Sequence, residues 1–170
     1  MTHGIIKGNL EKSGADDDPL EKFPDDAMFY FGRGVTMYEM YISPDLLTSH
    51  EWNALSKSLA WAKSRFNVMD KTYMIGGDPT KGETYGYVHF KSDSGIIALR
   101  NPTITAKQIT VTLSPALGMA DSARSLVLER VYPTHWVSPD LYSAGATITL
   151  PLSGFEAAVY EVYPLQNAAK

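Results

Sequence analysis

The side chains best suited to binding chemistry lie close together in the last third of this sequence. Residues 132–142 read Tyr-Pro-Thr-His-Trp-Val-Ser-Pro-Asp-Leu-Tyr, and the prolines and serine in this stretch predict a loop. Sugar-binding modules built on β-sandwiches use exposed aromatic rings, which are flat and amphipathic, beside Asp, Asn or Arg side chains. Trp136, Asp140 and Tyr142 are therefore candidate carbohydrate-binding residues. The alternative is that the two aromatic rings close one end of the fold or cover a missing neighbour.

Two further candidates are charged residues that interrupt an apolar stretch. Arg33 lies between two glycines, and Glu39 lies within the run Val-Thr-Met-Tyr-Glu-Met-Tyr-Ile. A buried charge requires a partner because burial removes its hydration. Arg33 and Glu39 either pair with each other or cap a loop, or they are further candidate carbohydrate-binding residues.

The sequence lacks the usual catalytic and metal-binding patterns. Its four histidines form neither H-x-H nor H-E-x-x-H, it has no cysteine, and no G-x-S-x-G motif occurs. The run Asp16-Asp17-Asp18 lacks the ligand spacing of an EF-hand loop and predicts a solvated acidic loop. We therefore expect no metal and no cofactor, and we assign no catalytic residue.

Composition excludes two classes of partner. The formal net charge is -4 and no basic run exceeds two adjacent residues, which argues against nucleic acid. No apolar stretch approaches the roughly 20 residues that a membrane span needs, and the first residues lack the hydrophobic region of a signal peptide. The composition does not assign the protein to a cellular compartment. With 44% hydrophobic residues the chain can bury a core of ordinary domain size.

One long helix is predicted over residues 49–66. Thr48 and Glu51 form a capping box, in which each side chain binds the backbone N–H of the other. Apolar residues then recur at spacings of three and four, which predicts a single buried stripe. The members of this stripe are Trp52, Leu55, Leu59, Ala62 and Phe66.

Short apolar runs broken by turns predict a mainly β structure for the rest of the chain. The predicted strands are Thr84–Phe90, Gly95–Arg100, Gln108–Leu113, Ser125–Tyr132, Ala146–Leu150 and Glu156–Tyr163. Pro151 is expected to end the fifth of these strands, and the glycine-rich residues 74–83 are expected to form a loop.

The N-terminal part is harder to interpret. Residues 1–26 have the composition of an irregular segment, in which only Gly-Ile-Ile-Lys-Gly suggests a short strand. Residues 27–42 contain two aromatic-rich apolar runs hinged at Gly32-Arg33-Gly34, and their length and composition favour strands. The alternative for the first run is a buried segment of another kind.

Three strings in the sequence resemble the C-terminal part of α-galactosidase-like (melibiase-like) glycoside hydrolases. They are E-M-Y-I-S-P-D-L-L-T-S-H-E-W, I-G-G-D-P-T-K-G-E-T-Y-G-Y-V-H-F and G-I-I-A-L-R-N-P. In that family a (β/α)8 barrel precedes an antiparallel β-sandwich. The resemblance implies that residues 29–43 are the end of the barrel, that residues 49–66 are its last helix, and that the sandwich starts near residue 84.

The resulting fold prediction is mainly β: an antiparallel Greek-key-like β-sandwich preceded by one long α-helix and a partial α/β segment. The predicted divisions are an irregular segment over 1–26, a barrel-like strand and helix unit over 27–70, and the sandwich over 71–170.

The same resemblance limits the predicted function. A (β/α)8 barrel takes roughly 200 to 250 residues, and the family's catalytic carboxylates lie on earlier barrel strands that have no counterpart in this sequence. We therefore expect a non-catalytic accessory portion that packs against an upstream barrel or self-associates through an exposed apolar face. A free-standing module that binds an oligosaccharide and a small glycosidase are the alternatives.

Overall fold

The computed structural model describes residues 4–7, 22–34, 37–42 and 44–165. The helices within these residues are α1 (Phe23–Gly32) and α2 (Ser49–Arg65). The strands are β1 (Gly4–Lys7), β2 (Glu39–Ile42), β3 (Tyr73–Gly76), β4 (Tyr85–Lys91), β5 (Ser94–Arg100), β6 (Lys107–Thr112), β7 (Leu126–Tyr132), β8 (Trp136–Val137), β9 (Thr147–Leu152) and β10 (Ala157–Pro164). The predicted acidic loop at Asp16-Asp17-Asp18 lies outside the described residues.

Strands β3 to β10 form two antiparallel sheets. The larger has the order β3-β4-β5-β10-β7-β8, and the smaller consists of β6 and β9. Buried side chains from both sheets share one hydrophobic core, which includes Leu99 of β5, Val111 of β6, Leu150 of β9 and Tyr160 of β10. The prediction of a mainly β, antiparallel fold is confirmed.

The larger sheet buries both of its faces. Along β5, Ile97 and Leu99 point into the core between the sheets, whereas Ile96 and Ala98 belong to a second core that the helices cover. This alternation is the period of a strand, and a strand covered on both sides reads as a continuous apolar run. The described residues therefore form three layers: helices, the six-stranded sheet and the two-stranded sheet.

Helix α2 confirms the sequence prediction, including its cap. The Thr48 hydroxyl accepts from the Glu51 backbone N–H at 3.2 Å, and the Glu51 carboxylate accepts from the Thr48 backbone N–H at 2.8 Å. The predicted apolar stripe is only partly buried. Leu55 and Ala62 are buried, whereas Trp52 and Phe66 are 44% and 54% exposed. Neither described helix is long and apolar enough to cross a membrane.

Helix α1 corrects the prediction of strands over residues 27–42 and of an irregular segment up to residue 26. Phe23–Gly32 is helical, and only Glu39–Ile42 is a strand. The helix packs between α2 and the larger sheet, with Ala27 and Phe31 fully buried. An apolar run that is covered on several sides does not show the period of either element, so its type could not be read from the sequence.

Strand β2 pairs in parallel with β1, and α1 lies between them in the chain. The short strand predicted at Gly-Ile-Ile-Lys-Gly is thus confirmed. The described order β1-α1-β2-α2 alternates strand and helix, as a β/α unit does.

Six predicted strands are confirmed as β4, β5, β6, β7, β9 and β10, with small changes at their ends. Strands β3 and β8 were not predicted, and β3 occupies the start of a segment expected to be a loop. Pro151 does not end β9, which continues to Leu152. Proline is tolerated there because β9 pairs on one side only, with β6, so the missing N–H breaks no second ladder.

Candidate functional site

A polar groove lies where the C-terminal end of α2 meets strands β5, β7 and β10 of the larger sheet. Its volume is about 590 Å³. It is lined mainly by polar side chains, with backbone and apolar atoms at its base. The polar lining residues are Ser64, Arg65, Asn67, Ser94, Glu129, Glu161 and Tyr163.

Glu161 is the most buried charged group in the groove, with only 7% of its surface exposed. It accepts hydrogen bonds from the Trp61 indole N–H at 2.7 Å and from Arg65 Nε at 2.9 Å, one on each carboxylate oxygen. Both donors come from α2, so Glu161 links the helical layer to strand β10. Arg65 also supplies the opposite charge that a buried carboxylate needs.

Glu129 lies directly opposite Glu161 across the β7–β10 pair. Cross-strand neighbours in this arrangement share a face, so the two carboxylates stand side by side. Glu129 accepts from His135 Nε2 at 2.8 Å and from the Tyr163 hydroxyl. Burial, reinforced by the hydrogen bond to Glu129, raises the pKa of Tyr163 to about 12, so this hydroxyl keeps its proton.

The three candidates from the 132–142 segment lie on another part of the surface. In the strand register, Trp136 lies opposite Arg130, and Arg130 lies opposite Tyr160 on its other side. The Tyr160 side chain belongs to the core between the sheets. Trp136 therefore belongs to the opposite face of the larger sheet from Glu161, and it is 42% exposed. Asp140, four residues later in the chain, is also exposed.

Tyr142 contributes less free surface than expected. Its ring packs partly against the core, its backbone pairs with Leu126, and its hydroxyl lies 3.0 Å from Ser138 Oγ. These contacts fit a ring that packs against the end of the fold better than a ring that is free to stack on a sugar.

Arg33 and Glu39 lie beside a common tyrosine. The Arg33 guanidinium is 5.3 Å from the Tyr30 ring centroid, and the Tyr30 hydroxyl donates to the Glu39 backbone oxygen at 2.8 Å. The Glu39 carboxylate accepts from Tyr41 at 3.2 Å. The predicted pairing of the two charges is thus replaced by separate contacts with tyrosines.

The structure does not bring the two groups of candidates together. The end of α1 at Arg33 adjoins β4, because His89 Nε2 on β4 lies 2.8 Å from the Gly32 carbonyl oxygen. Trp136 is on β8, four strand positions away in the same sheet. At about 4.8 Å per position, the separation is roughly 19 Å.

Sequence reasoning missed Glu129 and Glu161. Each is a single carboxylate within an apolar strand, in Leu-Val-Leu-Glu-Arg-Val and Ala-Val-Tyr-Glu-Val-Tyr. That signal drew attention to Glu39 and applies equally to these two residues. Among the described residues, no group of three His, Asp or Glu side chains could hold a metal ion.

Two sets of apolar side chains are exposed, one on and before β2 and one along α2. On and before β2, Met37, Met40 and Tyr41 are 57%, 44% and 61% exposed. Trp52 on α2 and Phe66 at its C-terminal cap are exposed, and Leu59 is half-buried between them. These three residues recur every seven positions, or about two turns, and form one line along the helix, which we call the α2 stripe.

No protein-family model and no curated protein matches this chain. Solved glycoside hydrolase structures do match its fold. α-Galactosidase I from Mortierella vinacea superposes on 84% of this chain and 36% of its own, with a TM-score of 0.56 and 10% identity. An α-amylase from Geobacillus thermoleovorans, solved with acarbose, superposes on 89% of this chain and 36% of its own (TM-score 0.55, 13% identity).

A third match is a putative α-N-acetylgalactosaminidase from Bacillus halodurans, with a TM-score of 0.52 and 11% identity over 82% of this chain. The chain spans only about one third of the length of each of these three enzymes. The resemblance to part of an α-galactosidase-like glycoside hydrolase is confirmed at the level of the fold.

Proposed function

We propose that this chain is the non-catalytic C-terminal portion of a glycoside-hydrolase-like protein, in which it packs against and stabilises a (β/α)8 barrel. The observation that carries the proposal is the parallel pair β1–β2. Each of its strands has one partner among the described residues, whereas parallel strands normally occur within larger sheets that are covered on both faces.

The exposed side chains support the same partner. A strand inside a barrel has a neighbour on each side, and a barrel helix packs against the helices that flank it. Here β2 exposes Met40 and Tyr41, and α2 exposes Trp52 and Phe66 along the α2 stripe. A parallel strand beside β2 and a helix beside α2, as neighbours in a barrel, would cover these groups.

Introducing negative charges into the α2 stripe provides the test. Exposed apolar groups of this kind should drive self-association of the chain when no barrel covers them. We expect the wild-type chain to self-associate in sedimentation velocity experiments over a concentration series, and the double variant Trp52→Glu/Phe66→Glu to sediment as a monomer. Ala60→Glu is the matched control, since Ala60 is exposed on the same helix but outside the stripe.

Hydrogen exchange gives an independent readout. Helix α1 is buried in the second core, so its amides should exchange as slowly as those of β5. The amides of Met40 and Tyr41 should exchange much faster in a monomer. A monomeric wild-type chain whose β2 amides are as slow as those of β5 would contradict the proposal, because β2 would then need no partner.

A free-standing carbohydrate-binding module is the second candidate. Two observations favour it: Trp136 and Asp140, four residues apart, are both exposed, and the chain has a polar groove. A ¹H–¹⁵N NMR titration of the chain with oligosaccharides tests this candidate. If Trp136→Ala loses the chemical-shift changes that the sugar causes in the wild type, the predicted loop binds the sugar. If those changes persist in the variant, the loop is excluded.

A glycosidase would use two carboxylates, roughly 5 Å apart for retention. Glu129 and Glu161 lie opposite each other on paired strands and are the two carboxylates of the groove. Both oxygens of Glu161 already accept hydrogen bonds from Trp61 and Arg65, which argues against a free nucleophile. We expect no release of nitrophenol from nitrophenyl glycosides by the purified chain.

A further inference from the structure

We infer that the polar groove between α2 and strands β5, β7 and β10 binds a sugar ring, and that it prefers a ring with an ammonium group over one with a carboxylate. This site is distinct from the predicted loop at Trp136, which lies on the other face of the larger sheet. The inference does not depend on the proposed barrel partner.

The size and lining of the groove define the class of ligand. A volume of about 590 Å³ lies within the range of small-molecule sites. Most such sites are apolar with a few polar groups, but this groove presents carboxylates, a guanidinium, hydroxyls and an amide. A ligand therefore has to supply many hydrogen-bond donors and acceptors in a small volume, and a sugar ring does so.

The donors and acceptors in the groove are not all used within the chain. The side-chain amide of Asn67 makes no hydrogen bond to any described residue, and it can donate to one hydroxyl and accept from another. Glu129 has a half-buried side chain, and each of its oxygens can accept a second hydrogen bond.

The charge of the groove sets the preference. Glu161 is neutralised by Arg65, since their atoms are 2.9 Å apart. Glu129 contacts only a tyrosine hydroxyl and His135, which is charged only when protonated. No lysine or arginine of the described chain lies within ion-pairing distance of Glu129, so one carboxylate remains without a permanent counter-ion. An ammonium group on the ligand would fill that role, and a carboxylate would be repelled.

The carboxylates are held before any ligand arrives. Glu161 is fixed by two donors from α2, and Glu129 is fixed by its position on the neighbouring strand and by Tyr163. A site whose groups are already ordered loses less conformational entropy on binding.

The test is a titration of the full chain, observed by ¹H–¹⁵N NMR, with three sugars that share one ring: glucosamine, glucose and glucuronate. The chain has three tryptophans, and each indole N–H reports on a different surface. Trp61 donates to Glu161 in the groove, Trp136 reports on the predicted loop, and Trp52 reports on the α2 stripe. All three titrations are made in one buffer at about pH 7, where glucosamine carries its ammonium group and glucuronate its carboxylate.

We expect millimolar binding that shifts the Trp61 indole signal and the amides of residues 64–68 and 161–163. Glucosamine should bind about fivefold more tightly than glucuronate, the ratio expected for one partly exposed ion pair. Glu129→Gln should remove this difference while retaining glucose binding. Asp121→Asn, a change of the same type at an exposed turn residue outside the groove lining, should leave it unchanged.

Three results would overturn the inference: no shift of Trp61 with any of the sugars, equal affinities for glucosamine and glucuronate, or an unchanged preference in Glu129→Gln. Shifts confined to Trp136 would also overturn it and would assign the sugar to the loop. A ¹H–¹⁵N spectrum of Glu129→Gln that matches the wild type away from the groove shows that the variant keeps its fold.

Discussion

Replacement of Glu161 tests the contact that joins helix α2 to the central strand β10. The side chain is 7% exposed, and it accepts from the Trp61 indole N–H at 2.7 Å and from Arg65 Nε at 2.9 Å. Glu161→Ala removes both contacts and leaves the half-buried indole N–H without an acceptor. A donor stranded in this way costs about 1–3 kcal/mol.

The other contributions are smaller. Arg65 has a 41% exposed side chain and can regain water, so loss of its ion pair costs about 0–1 kcal/mol. Removing a like charge opposite Glu129 returns up to about 1 kcal/mol. The free energy of unfolding should therefore fall by about 2 kcal/mol in Glu161→Ala. In Glu161→Gln it should fall by about half as much, because the amide oxygen still accepts from Trp61.

Urea unfolding followed by tryptophan fluorescence measures these differences, and the slope of the transition shows whether both variants remain two-state. Trp61→Phe in the Glu161→Ala background should cost little further stability, since the stranded donor is then absent. The reasoning is refuted if Glu161→Ala lies within about 0.5 kcal/mol of the wild type, or if the alanine and glutamine variants are equally unstable.

Two further predictions concern the core. Burial lowers the pKa of His89 below its ordinary value of 6.5. The unfolded chain therefore binds more protons below that pH, and the free energy of unfolding should fall on acidification by up to about 1.4 kcal/mol per pH unit. Urea midpoints between pH 8 and pH 5, measured for the wild type and His89→Gln, check this, and equal slopes in both would contradict it. Gly86→Ala should cost about 2 kcal/mol, because its methyl group would meet the Ala98 carbonyl oxygen across the β4–β5 pair. Gly145→Ala, which has open space but a positive φ of 84°, should cost about 1 kcal/mol, and thermal unfolding that ranks the two in reverse would refute the steric argument.

Local sequence patterns predicted the elements whose signals lie within a few residues. The capping box at Thr48 and Glu51 placed the start of α2, because both hydrogen bonds form between residues three apart. Alternation along residues 108–113 predicted β6, which is half-exposed as that pattern requires. Helix α1 was missed because it is covered by α2 on one side and by the larger sheet on another, which erases the period that distinguishes a helix from a strand.

The candidate site depended on contacts between distant parts of the chain. The sequence by itself determined that Glu129 and Glu161 each interrupt an apolar strand, and that Trp61 and Arg65 lie on one helix. Only the tertiary structure decided that β7 and β10 pair in the register that sets the two carboxylates opposite each other, with Trp61 and Arg65 brought to Glu161 from about a hundred residues earlier. Strand register and the choice of neighbouring strands are fixed by the packing of whole sheets, and a shift of one residue would move each carboxylate to the opposite face.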